Sequence, residues 1–281
     1  MNLLQKNKMR KEAFAGQFYP SDKEELQQMV SAFLVSEKKE NVHSIIVPHA
    51  GYAFSGKLAG MTYSLVPQKK NFIILGVNHT GLGAKICFSM EDWKTPLGTI
   101  KTNKDLAEKI LHKLKHADLE TEINEITHKQ EHSIEVQLPF LQLSQTRFEI
   151  VPIMFSGLDY DECKKIAEVL KDFVNDKVMI IVSSDFTHHG KTYGFEPFTN
   201  DIKNNMAKLD GDMILHILKN DSKSFFHLAN KSTVCGLYGI TVLTEISKLK
   251  KWKPRLIEYH TSGDMTNKWD MVVGYAGLVF E

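Results

Sequence analysis

Four short apolar runs in this 281-residue chain each hand over to polar, ionisable side chains. Ile45-Ile46-Val47-Pro48 leads to His49, and Phe72-Ile73-Ile74-Leu75-Gly76-Val77 leads to Asn78-His79. Val178-Met179-Ile180-Ile181-Val182 leads to Ser183-Ser184-Asp185 and then His188-His189, and the run 256–259 leads to His260, Ser262 and Asp264. Imidazoles and carboxylates gathered in one cleft are the usual donors of a transition-metal site. A single histidine at the end of a strand is ordinarily a hydrogen-bonding loop residue. The repetition across four runs is what favours a shared metal site. His43, His112, His116, His216 and His227 lack this setting and read as ordinary surface or core residues.

Cys235 sits in Thr233-Val234-Cys235-Gly236, just before a helical pattern. The start of a helix favours thiolate, the form that binds metal, so Cys235 is a candidate third ligand. Cys87 and Cys163 read as small buried hydrophobes. Two motifs are weaker than they look. Gly51-Tyr52-Ala53-Phe54-Ser55-Gly56-Lys57 has the spacing of a phosphate loop, but Leu58 stands where a magnesium-binding hydroxyl is needed. His128-Lys129-Gln130-Glu131-His132 matches an inverted zinc-protease signature, which on a helix would put both histidines on one face. His128 is expected outside the metal shell. His132 and Glu135, spaced i and i+3, would share a helix face toward the cleft.

These donors need a scaffold that brings strand ends together. Strand patterns cover 44–47, 72–75, 148–155, 178–182, 256–259 and 271–280. Helical patterns cover 54–65, 104–114, 131–141, 160–173, 201–218 and 236–249, and Ser21-Asp22-Lys23-Glu24 predicts a capping box opening a helix to about residue 35. Strand and helix in alternation predict an α/β fold: a single domain over 1–281 with a central mixed, mostly parallel sheet and helices on both faces. The final two strand runs have no helix between them, which predicts antiparallel pairing there. Residues 85–102 predict an irregular hairpin. In such a sheet the ligand crevice lies outside the carboxyl ends of the strands, where the four runs release their donors.

Composition sets the outer bounds. Apolar residues are 42% and charged residues 25%, an ordinary globular balance. The net charge of +1 gives no electrostatic case for nucleic acid or anionic membrane. Of 35 basic residues only Arg10, Arg147 and Arg255 are arginine, which argues against a phosphate site built on guanidinium forks. Three irregularly spaced cysteines suggest a reducing compartment. Met1-Asn2-Leu3-Leu4-Gln5-Lys6 carries no signal-peptide core, and no apolar run nears the roughly 20 residues of a membrane span. A soluble, cytoplasmic protein is expected.

Seven segments in order, spanning nearly the whole chain, resemble the Memo family, which includes AmmeMemoRadiSam system protein B. They are Ala15-Gly16-Gln17-Phe18-Tyr19-Pro20, Pro48-His49-Ala50-Gly51-Tyr52, Asn78-His79-Thr80-Gly81, Glu131-His132-Ser133-Ile134-Glu135 with Gln137-Leu138-Pro139-Phe140, Ser183-Ser184-Asp185-Phe186-Thr187-His188, Cys235-Gly236 and Thr261-Ser262-Gly263-Asp264. The resemblance implies a fold like the class III extradiol dioxygenases, which hold iron(II) on two histidines and a carboxylate. It implies His49, His79 and Cys235 as ligands, with Cys235 in the carboxylate's place and Asp185 and His188 alongside. The expected activity is non-haem iron redox or oxygenase-type chemistry on an unknown small-molecule or peptide substrate, with copper or zinc as alternative metals. His188 would be the acid/base, and Asp185 would orient a histidine as an acceptor behind the metal ligands. His132, Glu135, Tyr52 and Asn78 would line the substrate side. The resemblance also implies a functional link to radical-SAM and AMMECR1-type proteins. The rivals are a zinc-dependent hydrolase and a non-enzymatic metal-binding or protein-interaction module.

Overall fold

The computed structural model describes residues 9–35 and 41–281. The N-terminal hexapeptide read for a signal sequence lies outside them. The strands are β1 Met9–Arg10, β2 Ser44–Val47, β3 Asn71–Val77, β4 Ile86–Phe88, β5 Asp92–Thr95, β6 Gly98–Thr102, β7 Thr121–Ile123, β8 Glu149–Phe155, β9 Val178–Ser183, β10 His188–His189, β11 Pro254–Thr261 and β12 Val272–Phe280. The helices are α1 Lys23–Phe33, α2 Tyr52–Ser64, α3 Lys104–His116, α4 Glu125–Lys129, α5 Leu138–Ser144, α6 Tyr160–Leu170, α7 Ile202–Leu218, α8 Ser222–Ala229, α9 Leu237–Lys250 and α10 Ser262–Thr266.

One mixed sheet carries all these strands, along the path β1-β5-β6-β8-β3-β9-β2-β12-β10 with β4, β7 and β11 branching from it. Its centre is parallel: β3 pairs with β8 and β9, and β9 pairs with β2. Antiparallel β12 separates β2 from β11, so β11 runs in the same direction as β2 and its carboxyl end reaches the same edge. The central strands are apolar on both faces, as a covered parallel sheet requires. Alternate residues feed two cores: Ile73, Leu75, Ile180 and Val182 face the side of α3, α6 and α9, while Phe72, Ile74, Met179 and Ile181 face α1, α2 and α5.

Several local expectations change. Asp22, not Ser21, caps α1, its side chain accepting from Glu25 N–H, so the expected Ser21 box does not form. The segment 131–141 is not one helix: α4 ends at Lys129, a 3₁₀ turn spans Glu135–Gln137, and α5 follows. The phosphate-loop look-alike is helical from Tyr52 onward and offers no open loop of N–H groups. Residues 92–102 do form a hairpin, β5 against β6. No helix among the described residues is long and apolar enough to cross a membrane.

Candidate metal centre

β2, β3 and β9 end side by side, and the residues that follow them line a cavity of about 1100 Å³. His49, His79, His132, Asp185, His188 and Cys235 all face it. Two close approaches make this convergence fit. A Cβ on Gly236 would sit 2.4 Å from Ser184 Cβ, so glycine lets the start of α9, and Cys235 with it, close onto the end of β9. A Cβ on Gly76 would sit 2.5 Å from Ile134 Cγ1, so the 131–134 loop reaches β3 only over a glycine. Ser133 Oγ then stitches that loop to both the N–H and the carbonyl of Val77.

One ring nitrogen each from His49 and His79, and Cys235 Sγ, lie within 4.8 Å of one another. Donor bookkeeping fixes the tautomers. The single hydroxyl proton of Ser183 goes to Ser133 O at 2.6 Å, and Ser183 Oγ accepts from Gln137 Nε2 at 2.9 Å. Its 3.0 Å bond to His49 Nδ1 therefore has the imidazole as donor. His49 Nε2 is left as a bare, buried lone pair with no hydrogen-bond partner. Similarly, His79 Nδ1 donates to Glu131, both of whose carboxylate oxygens lie at 3.0 Å, which leaves Nε2 free. Burial, followed by the charge of His79, pulls His49 well below its ordinary range, so its ring is neutral as a metal ligand requires.

Glu131, to which the sequence reading gives no role, is the partner that orients His79. Burial pushes its carboxyl up, but hydrogen bonds from His79 and the Ser133 N–H, with the charges of His79 and His132, bring it down to about 2. Ser183 plays the same part for His49. Asp185 meets His49 through the main chain rather than through the ring. Asp185 Oδ1 accepts from the backbone N–H of His49 at 2.7 Å, so it holds the main chain, while Oδ2 stands 3.9 Å from His49 Nε2.

His188 Nδ1 lies 3.0 Å from Phe186 O and 3.1 Å from Thr233 O; both are acceptors, so Nδ1 carries the proton. Nε2 faces Cys235 Sγ at 3.8 Å. Burial lowers the His188 pKa. Burial and the carboxylates of Asp185 and Glu131 hold the Cys235 thiol well above its ordinary range, outweighing the expected pull of the helix start toward thiolate. His132 stacks on His79, centroids 4.9 Å apart and planes 6° from parallel, and rests on Phe18 at 4.5 Å. Phe54, Tyr193, Met271 and Ser262 extend the cavity wall.

Three expected lining residues are used elsewhere. Glu135 is fully buried in an ion pair with Arg10 at 2.6 Å and also accepts from Tyr19 and from the N–H groups of Ala13 and Phe14. Tyr52 donates to Val136 O at 2.6 Å, and Asn78 closes a turn through Gly81 N–H and Leu82 O. His128 is buried against Cys87 O and Trp93, apart from the convergence point. His260 meets Phe54 O, and Asp264 completes the capping box with Thr261 at the start of α10, so neither joins the cluster.

A family model described as "Memo-like protein" matches residues 10–279. The chain belongs to the Memo family. Similar Memo relatives, each named as a MEMO1 family protein, come from several archaea. The one from Archaeoglobus fulgidus is 35% identical over 277 residues, covering 97% of this chain and 99% of the relative. That from Methanosarcina mazei is 36% identical over 282 residues, with the same coverage of 97% and 99%. That from Pyrococcus furiosus is 37% identical over 292 residues, covering 96% and 98%. Every group in the donor cluster falls inside the Memo match.

Proposed function

We propose that this Memo protein binds a transition metal, iron(II) by preference, on His49, His79 and Cys235, and uses it for redox or oxygenase-type chemistry. The observation that carries the reading is the buried His49 Nε2: its other nitrogen is committed to Ser183, it has no hydrogen-bond partner, and its ring shares a donor cluster with His79 and Cys235. A buried lone pair without a partner is costly unless something fills the gap. Two imidazoles and one sulfur donor with a wide cavity beside them suit a metal with open coordination positions. The likeness to class III extradiol dioxygenases belongs to this proposal.

A bound metal would supply Lewis acidity and electron transfer to a substrate in the cavity. The chain supplies the rest. Cys235 would be the sulfur ligand, and His188 Nε2, 3.8 Å from its Sγ, is placed to accept the thiol proton. With Nδ1 pinned to two carbonyls, His188 takes and returns protons at Nε2 only. Phe18, Phe54, Tyr193 and Met271 give the mouth apolar walls for a small molecule or a peptide side chain. A link to radical-SAM and AMMECR1-type proteins and a cytoplasmic setting are proposed on the resemblance. The near-zero net charge supports a partner set without nucleic acid or membrane.

The thiolate donor favours one second reading, a zinc hydrolase, because two histidines and a cysteine with an open position also suit catalytic zinc. Elemental analysis of protein expressed without added metal, with anaerobic iron(II) reconstitution and spectroscopy, separates the two. Iron retained with a redox-active signal that His79→Ala and Cys235→Ser abolish supports the proposal. Redox-silent zinc supports the second reading, and metal content equal in wild type and both variants overturns both.

A further inference from the structure

We infer that Arg10 is a positioning residue for this centre: it fixes the loop that presents Glu131 to His79, although it lies outside the cavity wall. Its consequence for metal affinity rests on the metal reading above.

Arg10 is 2% exposed, and a charge so removed from water is costly unless it is paired and fully hydrogen-bonded. Its fork is committed mainly to one short segment. Nε donates to His128 O at 2.7 Å, Nη2 to Glu131 O at 2.9 Å, and Nη1 to Glu135 Oε2 at 2.6 Å; the remaining bond, from Nη1 to Lys11 O at 3.2 Å, is local. The guanidinium also lies over the Trp93 ring, 4.1 Å from its centroid.

The segment needs such a grip. Between the end of α4 at Lys129 and the 3₁₀ turn at Glu135 there is no helix or strand to hold the backbone. One planar group therefore clamps positions 128, 131 and 135 at once. At Glu131 the carbonyl goes to Arg10 while the carboxylate goes to His79. Glu135, gripped from the other side by Ala13, Phe14 and Tyr19, locks the N-terminal segment to the same loop. That segment also lays Phe14 and Phe18 against His132, with centroids 5.5 and 4.5 Å away. Lysine keeps the charge but lacks the rigid multi-directional fork, so it cannot hold the carbonyls of both His128 and Glu131 while pairing Glu135.

The test uses the full chain, with Arg10→Lys, the pair-deleting double variant Arg10→Met with Glu135→Met, and, as a control, Leu170→Ala, a buried core position of α6 outside the cavity lining. Cobalt(II) alone is titrated against each, and the metal-free proteins are examined by nitrogen-15 NMR for the His79 Nδ1–H bonded to Glu131. Arg10→Lys is expected to bind cobalt(II) about tenfold more weakly, the scale of outer partners of metal ligands. Its His79 Nδ1–H signal is expected to shift or broaden, while the control changes neither readout. If Arg10→Lys and the double variant lose thermal stability yet keep wild-type affinity and the wild-type His79 signal, the role is merely structural and the inference fails. If wild type shows no His79-dependent cobalt(II) binding, the metal reading fails, and the His79 signal alone still decides whether Arg10 positions the loop.

Discussion

Glu131 holds His79 by the Nδ1 edge of its ring: both carboxylate oxygens stand 3.0 Å from Nδ1, and Oε2 also accepts the His79 backbone N–H at 3.0 Å. Replacing Glu131 with Gln keeps the size but removes the charge and one acceptor. Metal affinity is expected to fall by roughly 10–100-fold, with the fold intact. Competition titration against a chelator of known affinity measures this, and an unchanged affinity would sink the assigned role.

His188 stands beside the donors without being one of them. His188→Ala is expected to keep wild-type metal content, whereas Cys235→Ser and His79→Ala lose it. Elemental analysis after gel filtration decides the point; loss of metal in His188→Ala would make it a ligand and require the cluster to be redrawn.

Gly236→Ala should harm the site through packing alone. The new methyl group would meet Ser184 Cβ at 2.4 Å and Ser183 O at 3.2 Å, neither of which is a flexible chain end. Overpacking of this kind costs about 1–3 kcal/mol. Chemical denaturation should show the loss, and metal content should drop with it because Cys235 is pushed off its position. A variant as stable as wild type would refute the close-approach argument.

Asp210 gives the stability a pH signature. Its carboxyl is fully buried between Thr187 and Tyr259, accepting from Thr187 N–H at 3.3 Å and Tyr259 O–H at 2.8 Å, and burial pushes its pKa up to about 6. A raised folded-state pKa means the native state holds the proton more tightly than the unfolded chain. Stability from this group is present below the unfolded value near 3.8 and is lost as pH rises through about 6. The loss is on the order of 2–3 kcal/mol. Asp210→Asn should abolish that slope, so denaturation midpoints of the two proteins should diverge between pH 4 and pH 7. Parallel profiles would show that Asp210 does not titrate there.

The strand ends were legible because a buried parallel strand writes itself as a short apolar run, and the ionisable residue after it must sit at the sheet edge. That logic reaches His49, His79 and Asp185 from local pattern. It overreaches at His260 and Asp264, where the strand end is correctly placed but the side chains turn to Phe54 and to the α10 cap. The segment 131–141 misled because its apolar spacing suits a helix, while Glu131 and Glu135 are each claimed by a different distant partner. Glu135 meets Arg10 across 125 positions of sequence, and no local period encodes such a pairing. Glu131 did leave a trace, as the acidic member of the His128–His132 motif. The tautomers of His49 and His79 left none, because they depend on where Ser183 and Glu131 spend their own hydrogen bonds.

With Nδ1 of both imidazoles committed to Ser183 and Glu131, folding alone leaves Nε2 of each as the ring nitrogen for an ion, and that of His49 buried without a partner before any ion arrives. An ion entering such a socket meets donors that need little rearrangement, so its binding energy is not spent on ordering them. That energy adds instead to the native state, growing with the logarithm of free metal once the site is saturated. The melting temperature of this protein should therefore report the metal supply around it, climbing steadily as the free ion concentration rises past the dissociation constant.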